Sequence, residues 1–167
     1  MEYPIQKVIA AAVAYDAGDP RRIHHFLKVH AFARQIGLEE GLDAPTQLIL
    51  ETAAVVHDIG IHKAEALYGK SSGKYQEELG PGIADTLLTG LGWPREVIDR
   101  VMYLVGHHHT YGNVDGLDYQ ILLEADFLVN LYEDMEPAEA QKHAYAHIFR
   151  TAAGKRLCRE LYPAVCE

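Results

Sequence analysis

The chain reads as all-α, a single compact bundle of about 6–8 helices. Three observations predict this. Apolar residues recur at helical spacing in one segment after another. Two of those segments open on an Asp followed closely by Pro, a cap and a first-turn residue in the order a helix start requires. No stretch alternates apolar and polar residues for long enough to compete as a strand. With 167 residues, 49% of them hydrophobic, the chain can bury one core and is short for two. Residues 1–167 are therefore expected to form one domain.

The first helix spans 4–17, with Ile5, Val8, Ile9, Ala12 and Val13 at helical spacing. Asp19-Pro20 opens the second, which runs to about Ile36-Gly37. Asp43-Ala44-Pro45 repeats the signal and opens the third, 45–58. Gly60 and the polar stretch 62–74, rich in Gly and Ser, are expected to form a loop. Helical patterns resume at 75–90 and, after Trp93-Pro94, through Val105. Gly106 to Gly116 reads as a second loop. Helices at 118–134, 138–152 and 155–161 complete the chain, with 137–167 forming a C-terminal helical section.

Composition narrows the function classes. Lys and Arg total 15 against 24 for Asp and Glu, a net charge of −9, so no basic face is available for a nucleic-acid polymer. No apolar run approaches the roughly 18 residues that cross a bilayer. The apolar segment Val8 to Ala14 is better read as a first helix than as an export signal, because Glu2 stands where a positive region would be. Cys158 and Cys166 lack His partners at zinc spacing and read as plain thiols. A cytoplasmic location is expected.

One count is out of proportion: 10 His, more than Met, Trp and Phe together. Eight fall between residues 24 and 109, mostly at helix ends facing loops. His143 and His147, four apart on a late helix, read as surface or packing residues. The third helix is apolar nearly all round from Leu48 to Val56, which marks a central buried helix, and its end carries His57 and Asp58 side by side. An unpartnered carboxylate there is costly. His25 shares a stripe with Val29, Phe32 and Ile36, while His24 falls beside Lys28 and Arg34 and faces solvent. On the sixth expected helix, Asp126 lies among Leu122, Leu123 and Val129. Imidazole nitrogens and carboxylate oxygens from three helices, all directed inward, describe a metal site in a bundle core.

These elements resemble the HD-domain metal-dependent phosphohydrolase superfamily over residues 21–130. That signature is a His on one helix, a His-Asp pair ending a later helix, and a distant Asp. His25 within Arg22-Ile-His-His25-Phe-Leu-Lys-Val29 matches the first element, His57-Asp58-Ile-Gly60 the second and Ala125-Asp126 the third. The resemblance implies that His25, His57, Asp58 and Asp126 bind a divalent metal, with Asp58 also orienting the attacking water. The same ligands suit Mn, Fe, Co, Ni, Zn or Mg. The loop His107-His108-His109-Thr110 resembles a His-rich segment in which one His joins a second metal or contacts phosphate. His108 is the first choice for that catalytic or phosphate-contacting role and His109 the second, since register within a triplet is not fixed by sequence. Two-metal branches tend to carry a His just before a Gly-Pro pair. Here Leu79 stands before Gly80-Pro81, with Glu78 adjacent, so one tightly held metal is favoured and a weaker second is left open.

The implied activity is metal-assisted hydrolysis of a phosphorylated small molecule, with a nucleotide or related phosphoester the leading class. Arg22 and Lys63 are the expected phosphate-binding cations. The loop Gly69-Lys70-Ser71-Ser72-Gly73-Lys74 fails as a P-loop, because Ala64 stands where the leading Gly belongs and no strand precedes it. It reads as a solvated loop. Glutamates typical of guanosine-tetraphosphate hydrolases are not evident after the His-Asp pair. Two rival readings are an HD-fold iron-dependent oxygenase and a non-catalytic metal-containing binding module.

Overall fold

The computed structural model describes residues 2–167. Among them are nine α-helices and a closing 3₁₀ turn, with no strand. In chain order the helices are α1 (Ile5–Tyr15), α2 (Pro20–Glu39), α3 (Ala44–Val56), α4 (Ile61–Tyr68), α5 (Gly73–Gly90), α6 (Arg95–Val105), α7 (Leu117–Glu133), α8 (Ala138–His147) and α9 (Ala152–Leu161). No helix among the described residues is long and apolar enough to cross a membrane. Cys158 and Cys166 are free thiols, the first buried and the second exposed.

The helix starts follow the chemistry of their caps. Asp19 accepts the backbone N–H of Arg22 at 3.2 Å, with Pro20 as the first helical residue of α2. Asp43 accepts that of Thr46 at 2.8 Å and opens α3. From Leu50 to Val56 every residue of α3 is buried, and the helix packs against α1, α2, α6 and α7. The one carboxylate in that stretch, Glu51, is met by His30 at 2.9 Å, Gln47 at 2.9 Å and Arg34 at 3.3 Å.

Three boundaries differ from the expectation. Gly37 does not end α2 but lies inside it, where a Cβ would stand 2.4 Å from Gln47 Oε1, so this glycine serves the close crossing of α2 and α3. The expected loop at 62–74 is largely helical. Ile61 and Ala64 are buried and hold α4 down until Gly69, at φ +72°, ends it in the left-handed conformation. The late helices break at 148–151 because buried Glu124 of α7 takes the backbone N–H of Arg150 at 3.0 Å and of Thr151 at 3.1 Å. Thr151 then caps α9 by accepting from Gly154 at 2.9 Å.

The core is contiguous from Val8 of α1 to Cys158 of α9. Helices α2, α3 and α7 are mutually packed, and that junction places the inward-facing polar residues together.

Candidate metal centre

His25 comes from the buried stripe of α2, where Val29 and Ile36 are also buried. His57 caps the C-terminus of α3, and Asp58 follows in a tight turn closed by Ile59 N–H to Val56 O at 3.1 Å and Ile61 N–H to Asp58 O at 3.1 Å. Gly60 permits this turn to touch α5, since a Cβ there would stand 2.9 Å from the Gly80 nitrogen. Asp126 lies in the middle of α7.

Backbone and carboxylate partners fix the imidazole tautomers. Nδ1 of His57 donates to the Ala54 carbonyl at 2.7 Å, and Nδ1 of His108 to the Val105 carbonyl at 2.7 Å. Nδ1 of His25 donates to Glu133 Oε1 at 2.5 Å, and Glu133 is held in turn by Lys28 at 2.7 Å. A neutral ring that donates from Nδ1 presents a bare lone pair at Nε2. Three Nε2 atoms, of His25, His57 and His108, therefore point inward.

They meet carboxylates. His25 Nε2 lies 3.1 Å from Asp58 Oδ2, 3.2 Å from Asp126 Oδ1 and 3.2 Å from His57 Nε2. His57 Nε2 is 3.4 Å from each of the same two oxygens. Ligand atoms set about 2.1 Å from a common ion stand about 3.0–3.4 Å apart. Asp126 Oδ1 is buried and meets no hydrogen-bond donor. Four inward-facing acceptors at this spacing, one of them orphaned, fit a divalent cation.

The acid–base balance has the same cause. Burial opposes charge on His25, but the carboxylates of Asp126 and Asp58 outweigh it and push its pKa up to about 9. His57 is raised well above its usual value against its own burial, by Asp58 and Asp126. Asp58 and Asp126 are correspondingly lowered by the imidazoles, against the desolvation that would raise them. The cluster is built to hold positive charge, and protons and a metal ion compete for the same lone pairs.

Asp58 also faces the other way. Its Oδ1 is 3.3 Å from His108 Nε2. Gln76 of α5 donates from Nε2 to the Ser71 carbonyl at 2.8 Å, which turns its Oε1 toward His108 Nε2 at 3.2 Å and His109 Nε2 at 3.0 Å. Asp58, His108 and His109 thus form a second group of metal-ligand character that shares Asp58 with the first. Burial and the neighbouring His108 lower the pKa of His109.

The remaining expected residues are distributed unevenly. His107 turns away, stacking on Tyr103 at 4.0 Å. Arg22 sits one turn before His25, where its charge meets Asp16 and Asp19. Lys63 is exposed on α4 and borders a separate groove with Tyr15, Ile83 and Thr86. His62, held by Asp19 at 2.8 Å, is likewise occupied. Two residues escaped the sequence reading, Glu133 and Gln76. Glu133 stands seven after Asp126, on the same face of α7, and Gln76 stands four before Gly80, the residue against which the His-Asp turn packs. Those spacings were the available signals.

No protein-family model and no curated protein matches the chain. Among solved structures it is similar to a crystal structure from an uncultured Thermotogales bacterium, described as a predicted HD superfamily hydrolase. The identity is 25%, the TM-score 0.67, and the match covers 96% of this chain and 86% of that one. By fold this is an HD domain. The candidate metal ligands lie where three mutually packed helices, α2, α3 and α7, converge.

Proposed function

We propose that this HD domain is a metal-dependent phosphohydrolase acting on a phosphorylated small molecule, with a nucleotide or related phosphoester as the leading class. One observation carries the reading: the Nε2 atoms of His25 and His57 face the carboxylates of Asp58 and Asp126 in a nearly closed interior site. His25, His57, Asp58 and Asp126 would hold the ion. A divalent ion so held lowers the pKa of water toward neutrality and polarises a phosphoryl oxygen.

The chain's own groups supply the rest. Asp58 has the most exposed side chain of the four, at 15%, and faces both ligand groups, which suits it to accept a hydrogen bond from the attacking water. Arg22 offsets phosphate charge from the turn before His25. His108 is better suited to ligation than to proton transfer, because both of its ring nitrogens are already directed, one to the Val105 carbonyl and one to Asp58. With Asp58 Oδ1, Gln76 Oε1 and His109 it forms a weaker second cation position, weaker because a neutral amide oxygen replaces a charged or imidazole ligand.

The test is elemental analysis of purified protein followed by a phosphatase screen with each divalent ion. The expected result is bound metal and phosphate release that Asp58→Ala abolishes. Two bound irons with oxygen consumption and no phosphate release would overturn the proposal in favour of an oxygenase. Unchanged turnover in Asp58→Ala would overturn it as well.

A further inference from the structure

A cavity of about 570 Å³ opens between α7 and α8. That volume lies within the roughly 300–1,000 Å³ typical of small-molecule sites. The metal ligands do not line it, but Phe127, next to Asp126, and Asn130, one turn further along α7, do. Asp126, Asn130 and Glu133 are spaced i, i+4 and i+7 along the stripe of α7 that holds a candidate ligand and the partner of His25. Phe127, Asn130 and Asp134 are spaced i, i+3 and i+7 along the stripe that lines the cavity. Asn130 belongs to both. Its side chain is half-buried and takes no part in the hydrogen bonds that tie α7 to α2 and α9.

The cavity walls have a definite chemistry. Tyr111 and Phe127 meet edge to face, with ring centroids 5.3 Å apart and planes at 68°, and present an aromatic corner. Phe127 of this corner follows the candidate ligand Asp126 directly on α7. Asp134 and Glu136 also line the cavity, together with His143 of α8, and no Lys or Arg does. Lys28, on the neighbouring α2, is committed to Glu133 at 2.7 Å. A further phosphate extending along α7 from the metal would enter this acidic space.

Resting on the phosphohydrolase reading, we infer that this cavity holds the organic half of the substrate and selects a single-phosphate ester. The group it takes is planar and uncharged, packed on Tyr111 and Phe127. Its polar edge pairs with the Asn130 amide, and its N–H donors face Asp134 and Glu136. A nucleoside monophosphate has these features, and a nucleoside triphosphate is repelled by the two carboxylates.

The experiment compares adenosine 5′-monophosphate, adenosine 5′-triphosphate and ribose 5-phosphate on the metal-loaded protein, with saturation-transfer NMR of the monophosphate as a binding readout independent of turnover. The expected kcat/KM for the monophosphate exceeds that for the triphosphate roughly tenfold or more, because like charges are brought together only by the latter. Asn130→Ala raises KM for the monophosphate about 3- to 10-fold, the value of one neutral hydrogen bond, and weakens saturation transfer to the base protons. Asp134→Asn combined with Glu136→Gln raises the triphosphate-to-monophosphate ratio. Preference for the triphosphate, equal use of ribose 5-phosphate, or base protons that receive no saturation would overturn the inference. If no phosphate ester is turned over with any ion, the hydrolase reading falls, and the effect of Asn130→Ala on saturation transfer alone then decides the cavity.

Discussion

Glu133 Oε1 receives the Nδ1 proton of His25 at 2.5 Å, and this contact orients the ring whose other nitrogen faces Asp58 and Asp126. A carboxylate behind a ligating imidazole fixes its tautomer and raises its basicity, and removing such a partner typically costs about 10- to 100-fold in metal affinity. Glu133→Ala is therefore expected to weaken metal binding by that factor in a chelator competition, with helical content unchanged. Lys28→Ala, which frees Glu133 from its ion pair at 2.7 Å without touching His25, should have a smaller effect. Equal affinity in Glu133→Ala and the parent would mean that Glu133 serves only to anchor Lys28.

Asp58 joins the two ligand groups, and Gln76 Oε1 lies against His108 and His109 of the second. Replacing each separates their roles. Asp58→Ala should lose metal from both positions. Gln76→Leu should retain the first ion while its affinity for a second falls about tenfold or more, and Gln76→His should strengthen the second position. Metal-to-protein ratios measured across a titration with Mn²⁺ or Zn²⁺ decide this. A single binding step of identical affinity in all three Gln76 forms would eliminate the second position.

Gly60 packs against α5 so closely that an added Cβ would meet the Gly80 nitrogen at 2.9 Å and the Gln76 carbonyl at 3.1 Å. Neither atom is at the end of a flexible side chain, so the backbone must move. Gly60→Ala is expected to destabilise by about 1–3 kcal/mol, as overpacking does, and to displace the turn carrying His57 and Asp58. Gly82→Ala is the matched control on α5: nothing stands within 4 Å of its Cβ, and a mid-helix Ala adds about 0.5–1 kcal/mol relative to Gly. Thermal melting of the two variants should move in opposite directions.

The helical architecture was legible because amphipathic spacing and two Asp-Pro starts are local signals, and Asp19 and Asp43 cap their helices as their sequence contexts suggest. The misread boundaries at Gly37, α4 and residues 148–151 share another cause. Each is set by a partner distant in sequence: Gln47 against Gly37, the core against Ile61 and Ala64, and Glu124 against Arg150 and Thr151. The candidate ligands were legible as polar residues on apolar stripes. Gln76 and Glu133 were not, because each acts through a residue on another helix and carries an ordinary surface side chain. The order within His107–His109 depends on where α6 ends, since Val105 and Tyr103 supply the carbonyls that turn His108 inward and His107 outward.

Glu51 is the buried carboxylate of the central helix, and its ionisation should be visible in stability. Burial alone would raise its pKa, but hydrogen bonds from His30 and Gln47 and the charge of Arg34 lower it below the usual 4.5. A carboxylate depressed on folding stabilises the native state above its unfolded pKa, and that contribution is lost as pH falls through the folded value. At pH 7, Glu51→Gln should therefore cost about 1–2 kcal/mol, the worth of hydrogen bonds to a charged acceptor reduced to neutral ones. That corresponds to about 2–8 °C in melting temperature for a chain of this size. Below pH 4.5 the gap between variant and parent should narrow, because the parent's carboxylate is then protonating as well. Melting curves of both proteins from pH 7 to pH 3 make the comparison. A gap that stays constant across that range would show that the carboxyl group acts at this position by shape alone.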